Sequence, residues 1–227
     1  MTLGAPIDQL LDRLYAQHAS QMEAMGSYFA ARAAEGPVDW SRFDDRTNAF
    51  LRDKLVALDR DKAEFCYHVC RALQARRVVE AGTSFGVSTI FLAAAVRDNG
   101  GGTVIATEYE PTKAAIARRH FAEAGLSSVI DLREGDLRTT LAHLGAGEDH
   151  NAPVDFMLID IWTPMALPAL SLVAPRLRQG AVVICDNTTQ FREAYHDYFA
   201  FVHDPPNGLR TMTLPFEGGL EFTVKAR

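Results

Sequence analysis

From about residue 76 the apolar positions fall into short β-rich runs separated by longer stretches with helical spacing. The runs are RRVVEAG (76–82), TVIATEY (103–109), SVIDLREG (128–135), VDFMLID (154–160) and AVVICDN (181–187). The helical stretches cover 87–97, 111–124, 136–144, 165–178 and 190–203, with Pro111 in a first turn where its missing amide costs nothing. Five strand–helix units in a row predict a parallel sheet covered on both faces. The last two runs, LRTMTLPF (209–216) and LEFTVKA (220–226), are joined only by EGG, too short for a parallel crossover and suited to a hairpin. The expected fold is therefore α/β: a seven-stranded, mostly parallel, Rossmann-like sheet with an antiparallel C-terminal hairpin.

Residues 1–60 carry a different pattern. Ile7, Leu10, Leu11 and Leu14, and later Phe50, Leu51, Leu55 and Leu58, repeat with helical spacing, and EGPVDWSRFDD between them reads as a loop. This predicts an N-terminal helical extension over 1–60 that serves as a lid or a dimer surface, followed by a domain over 61–227. Tyr28, Phe29, Trp40 and Phe43 either line an aromatic pocket or make ordinary core or dimer contacts, the commoner use of such residues. Five parallel units closed by a hairpin resemble the sheet of class I methyltransferases.

A chain of 227 residues has room for one such domain and no second catalytic one. The net charge of −6, with Arg76-Arg77 and Arg118-Arg119 as the compact basic groups, argues against nucleic acid as a partner. No apolar run approaches the ~20 residues of a spanning helix, and the first residues carry acids where a signal peptide is basic. Three cysteines, Cys66, Cys70 and Cys185, suit a cytoplasmic protein without disulfides. Cys66 and Cys70 share a helix face from which His68 points away, so they read as buried small hydrophobes and not metal ligands.

In open α/β sheets ligands bind at the carboxyl ends of the strands where the winding reverses. The loop after the first strand, VVEAGTSFGVST, places Gly82 in a tight turn and Thr83 and Ser84 behind it. Gly86 stands at a helix start and Ser88 in its first turn, where free amides favour an anionic group. The spacing lacks the central glycine of dinucleotide loops, and Glu80 would repel a pyrophosphate. The same carboxylate suits a cofactor bearing an ammonium and a sulfonium, as S-adenosylmethionine does. Glu108 ends the second strand, where an acid accepts hydrogen bonds from ribose hydroxyls. Tyr109 is placed to lie along the adenine. Asp136 after the third strand either reaches the adenine amino group or caps the next helix.

Asp160 ends the fourth strand, and Asp186 and Asn187 end the fifth. On neighbouring strands these side chains meet at one rim as a hard oxygen set suited to Mg²⁺ with open positions for substrate oxygens. The alternative is that they cap turns, as strand-end Asp and Asn often do.

Together, VVEAGTSFGVST, ATEYEP, FMLIDIW, VVICDN and GGLEFTVKA make residues 56–227 resemble the catechol O-methyltransferase family. The resemblance implies an S-adenosylmethionine-dependent O-methyltransferase acting on a small hydroxylated acceptor, with a homodimer through the N-terminal helices as an expectation. By that resemblance Ser88 binds the methionine carboxylate and Glu108 the ribose, Tyr109 and Trp162 pack near adenine or substrate, and Asp160, Asp186 and Asn187 hold the metal. Backbone at Val56–Leu58 covers the methionine end, and Phe191 falls at an apolar gate. The chain departs from the pattern in its IWT segment: Ile161 stands where family members have histidine and Thr163 where they have the lysine base. Either a metal suffices, another residue supplies the base, or the acceptor is not a catechol. His196 and His203 are candidate substitutes that read more simply as solvated helix-face side chains, and Glu217 in the terminal hairpin is a further candidate carboxylate for the rim. Three further readings stay open: a metal-independent methyltransferase, a nicotinamide oxidoreductase, disfavoured by Glu80 and the missing glycine, and a non-catalytic module that binds the cofactor without the base.

Overall fold

A computed structural model of the chain describes residues 1–144 and 152–227. The predicted strands form β1 (Arg77–Ala81), β2 (Thr103–Glu108), β3 (Ile130–Glu134), β4 (Val154–Ile159), β5 (Leu177–Asp186), β6 (Leu209–Leu214) and β7 (Leu220–Lys225). They make one sheet in the order β3-β2-β1-β4-β5-β7-β6, parallel through β5 and antiparallel in the closing hairpin. The helices are α1 (Ala5–Glu35), α2 (Asp45–Leu51), α3 (Arg60–Ala72), α4 (Val87–Asp98), α5 (Pro111–Glu123), α6 (Leu137–Thr140), α7 (Thr163–Val173) and α8 (His196–His203).

Both faces of the strands are apolar because both are covered. Val78, Val104, Phe156, Leu158 and Ile184 point to a core shared with α1, α3, α4 and α5. Their neighbours Val79, Ile105, Met157, Ile159 and Val183 point to a second core under α6, α7 and α8. Cys66 and Cys70 lie buried on one face of α3 with His68 exposed, and Cys185 is buried in β5.

Three departures from the periodicity have local causes. Leu55 and Leu58 are buried as expected but lie in extended chain, since α2 ends at Leu51. That segment satisfies its backbone on α1: the Leu55 amide donates to the Gln21 side chain at 2.9 Å, its carbonyl meets His18 Nδ1 at 2.9 Å, and the Leu58 carbonyl accepts from the Tyr15 hydroxyl at 3.0 Å. The helix expected over 165–178 stops at Val173 in a tight turn through Pro175, which lets β5 start at Leu177. The helix expected over 190–203 starts only at His196, because the amides of Thr188, Thr189 and Gln190 donate back to Gly218 and Gly219 of the β6–β7 turn.

The extension does two jobs. The first turns of α1 bury Ile7, Leu10, Leu11 and Leu14 in the core beside α4 and α5. Beyond them α1 runs on, stops at Gly36-Pro37, and returns through a loop and α2 as an arm. Tyr28 ties the arm together by stacking on Phe50 at 3.9 Å and meeting the Thr47 hydroxyl at 3.1 Å, and Arg32 pairs with Asp44 at 2.8 Å. Among the described residues no helix is long and apolar enough to cross a membrane.

Since Leu10 is 1% exposed inside the domain's own core, Leu10→Ala should lower the unfolding free energy by about 2–5 kcal/mol, the cost of a core cavity. A denaturant titration measures this; a loss under about 1 kcal/mol, the usual size of a surface effect, would mean that α1 is a detachable flap.

Candidate active site

The winding of the sheet reverses at β1, which lies between β2 and β4. A cavity of about 810 Å³ opens at the carboxyl ends of the strands there, large enough for a cofactor and a second small molecule. It is lined by Gly82, Thr83, Ser84, Ser88, Glu108, Tyr109, Asp136, Asp160, Trp162, Asp186 and Asn187. Of the predicted site residues, Glu80 and Gly86 stand behind this wall. His196, His203 and Glu217 do not reach it.

Gly82 and Ser84 have φ of +99° and +50°, and Gly86 caps α4 at +92°. The turn crosses so close to β4 that a Cβ on Gly82 would overlap the backbone carbonyl of Asp160. Glu80, just before it, is fully buried. Its Oε2 accepts from the Thr83 hydroxyl at 3.0 Å and from that of Thr89, while its Oε1 has no partner. Burial pushes this carboxyl up to about 7, the hydroxyls of Thr89, Ser88 and Thr83 pull it back, and nearby Glu108 adds to the rise.

Glu108 is held by backbone. Its carboxylate accepts the Ser84 amide at 2.7 Å and the Glu110 amide at 2.8 Å, which fixes it facing the cavity. Burial raises its pKa, against the Glu110 amide and Lys113. Tyr109 beside it is 69% exposed and free to cover a flat ring. Asp136 caps α6 by accepting the Arg138 amide at 2.8 Å, and its carboxylate is also paired with that arginine's guanidinium while lining the cavity.

At the other end β4 and β5, paired through Ile159 and Cys185, bring Asp160, Asp186 and Asn187 to one rim. Asn187 adopts φ +58°, which turns the chain back toward the hairpin. The Tyr195 hydroxyl donates to the Asp186 carbonyl at 3.0 Å and pins the strand end. The cation at this rim is not legible along the chain. Lys62 of α3, 2% exposed at its side chain, sets its ammonium 2.8 Å from Asp186 Oδ1 and 2.9 Å from Asp59 Oδ2. Burial pushes Lys62 down, but Asp186 and Asp59 outweigh it and the ammonium stays charged. Burial also holds Asp186 above its ordinary range in spite of Lys62, and lifts Asp160 far above, with Asp186 and Glu80 adding to the effect. Two acids and Asn187 share this rim with one ammonium. Lys62 was hidden in sequence because a lysine among acids on a helix ordinarily marks a solvated face.

The arm supplies the remaining wall. Phe29, Trp40 and Phe43 line the cavity, and Tyr28 packs inside the arm instead. Trp40 lies 4.6 Å from Phe191 and 6.2 Å from Trp162, ring centre to ring centre. The Val56 amide reaches the Ser84 hydroxyl at 3.4 Å, which brings the extended segment against the glycine loop.

The strand order with its closing antiparallel hairpin is a fold this chain shares with O-methyltransferases of known structure. Residues 79–188 match the family described as "Methyltransferase domain". The chain is similar to catechol O-methyltransferases: it is 30% identical to that of Niastella koreensis over 58% of either chain, and 32% identical to that of Mycobacterium tuberculosis over 58% of this chain and 57% of the relative. It thus spans a little over half the length of those relatives. Its fold superposes on an O-methyltransferase from Bacillus cereus solved with SAH, with a TM-score of 0.70 at 20% identity, covering 93% of this chain and 99% of that one.

Folded Glu80 keeps its proton up to about pH 7, whereas an unfolded glutamate releases it near 4.5. The ligand-free protein should therefore lose stability as pH rises through that window, by on the order of 3 kcal/mol more than Glu80→Gln does. Denaturant titrations across pH measure it, and parallel curves for the two proteins would show that Glu80 ionises as in the free chain.

Proposed function

We propose that the protein transfers a methyl group from S-adenosylmethionine to an oxygen of a small, aromatic, hydroxylated acceptor. The observation that carries this is the continuity of one cavity, with the glycine loop and Glu108 at one end and the Asp160–Asp186 rim under aromatic walls at the other. Relatives named for catechol and caffeoyl-CoA methylation support an aromatic acceptor. The residues fit the methyl donor. Glu108 is fixed to accept ribose hydroxyls, and Ser88 stands in the first turn of α4, where free amides favour the donor's carboxylate. Bound there, S-adenosylmethionine supplies an electrophilic sulfonium methyl that an acceptor oxygen takes by in-line displacement. Trp162 and Phe191 hold the acceptor's apolar face and keep water from the reacting atoms. Glu80 behind Gly82, in a loop without the central glycine, speaks against a nicotinamide cofactor.

Two readings divide at the acid rim. In the first, Asp160, Asp186 and Asn187 hold Mg²⁺, which their hard oxygens suit, and a bound divalent ion would favour loss of the acceptor's proton. In the second, favoured by the Lys62–Asp186 ion pair, the ammonium is the resident cation and Asp160 in its ionised form takes the proton. Both retain the same methyl donor.

Calorimetry tests the donor site first: Glu108→Ala should weaken S-adenosylmethionine at least about tenfold, the worth of charge-assisted hydrogen bonds, and unchanged affinity would remove Glu108 from the site. Mg²⁺ titrated into the cofactor-loaded protein then separates the readings. Saturable heat that disappears in Asp186→Ala supports the metal. No heat, with turnover indifferent to a chelator and reduced about a hundredfold in Asp160→Asn, supports proton transfer to Asp160 beside Lys62.

A further inference from the structure

Thr163 stands where the resembling family has a lysine, and the structure gives its side chain a different task. Its hydroxyl donates a hydrogen bond to the backbone carbonyl of Trp40, 123 residues away in the chain. Thr163 is buried, and as the first residue of α7 it has its position fixed by the helix. The other hydrogen bonds described for the 36–44 loop stay within the arm. Ser41 turns back on Asp39, and Asp44 is held by Arg32, Arg46 and Thr47. Thr163 is thus the hydrogen-bonding tie between that loop and the sheet domain. The tie falls at Trp40, whose ring packs beside Trp162 and Phe191 in the cavity.

We propose that Thr163 is a positioning residue: its hydroxyl latches the 36–44 loop to the start of α7 and sets Trp40 as a wall of the acceptor chamber. The proposal rests on the methyl-transfer reading of the cavity. Removing the hydroxyl frees a carbonyl that must find another partner, and the loop then carries Trp40 away from Trp162 and Phe191. Serine keeps the donor and valine keeps the shape, so the pair separates hydrogen bonding from packing. The chamber so closed takes a flat, apolar ring whose hydroxyls reach toward Asp160 and Asp186.

The chain's two tryptophans are Trp40 and Trp162, so tryptophan fluorescence reports on the surroundings of this contact. Acrylamide quenching should rise in Thr163→Val and return to the wild-type value in Thr163→Ser. With 2,3-dihydroxynaphthalene as the probe, saturable quenching should weaken about fivefold in the valine variant, as loss of one hydrogen bond implies, and recover in the serine variant. Trp40→Ala, which leaves Thr163 intact, should weaken the probe at least as much. Wild-type quenching and probe affinity in Thr163→Val, or failure of serine to restore both, would overturn the latch. A wild-type protein that does not bind the probe saturably would overturn Trp40 as an acceptor wall. Calorimetry with S-adenosylmethionine alone keeps the two readings apart: no binding removes the methyl-transfer reading, while the acrylamide result still decides the latch.

Discussion

At the crossing of β1 and β4 the backbone of Gly82, at φ +99°, lies against the carbonyl of Asp160 with no room for a side chain. That contact places the glycine loop, and the start of α4 that follows it, directly beside the acid rim. Glu108 depends on it, because the Ser84 amide that fixes its carboxylate belongs to the same turn. The extended segment of Val56 depends on it as well, through the Ser84 hydroxyl. A methyl group on Gly82 would move all of these relative to Asp160 at once, so cofactor and acceptor ends are joined through one backbone contact.

The second constraint is buried charge. Glu80, Glu108, Asp160 and Asp186 crowd around one cavity, and burial raises every one of them above the ordinary carboxylate range. Such a site retains positive charge in some form, as held protons, a lysine or a cationic ligand. Lys62 answers part of that demand at one end. The sulfonium and ammonium of the methyl donor would answer it at the other. The same electrostatics therefore orders the free protein and selects its ligand.

The aromatic walls show a division of labour between local and distant sequence. Trp162 and Phe191 belong to the strand-end loops of the sheet, while Phe29, Trp40 and Phe43 arrive from an arm that the domain carries on α1. In the resembling family the IWT positions carry ionisable chemistry. Here Ile161 lines the cavity and Thr163 binds the arm, so the segment has been turned from chemistry to shape.

Apolar periodicity by itself determined the seven strands, a parallel sheet with a closing hairpin, and the strand ends at which Asp160, Asp186 and Asn187 stand. Each of these follows from interactions local in the chain: alternation along a strand, a turn too short for a crossover, acids at strand ends. Tertiary structure decided the rest. Leu55 and Leu58 have helical spacing but extended backbone, because Tyr15, His18 and Gln21 of α1 satisfy their polar groups from outside. Lys62 stands among acids as a solvated residue does, and only the docking of α3 turns it inward; Trp40 is open in sequence to pocket or core, and the arm carries it to the cavity. Those contacts join positions 123 or 124 residues apart, Trp40 with Thr163 and Lys62 with Asp186, and no periodicity along the chain records what lies across a cavity.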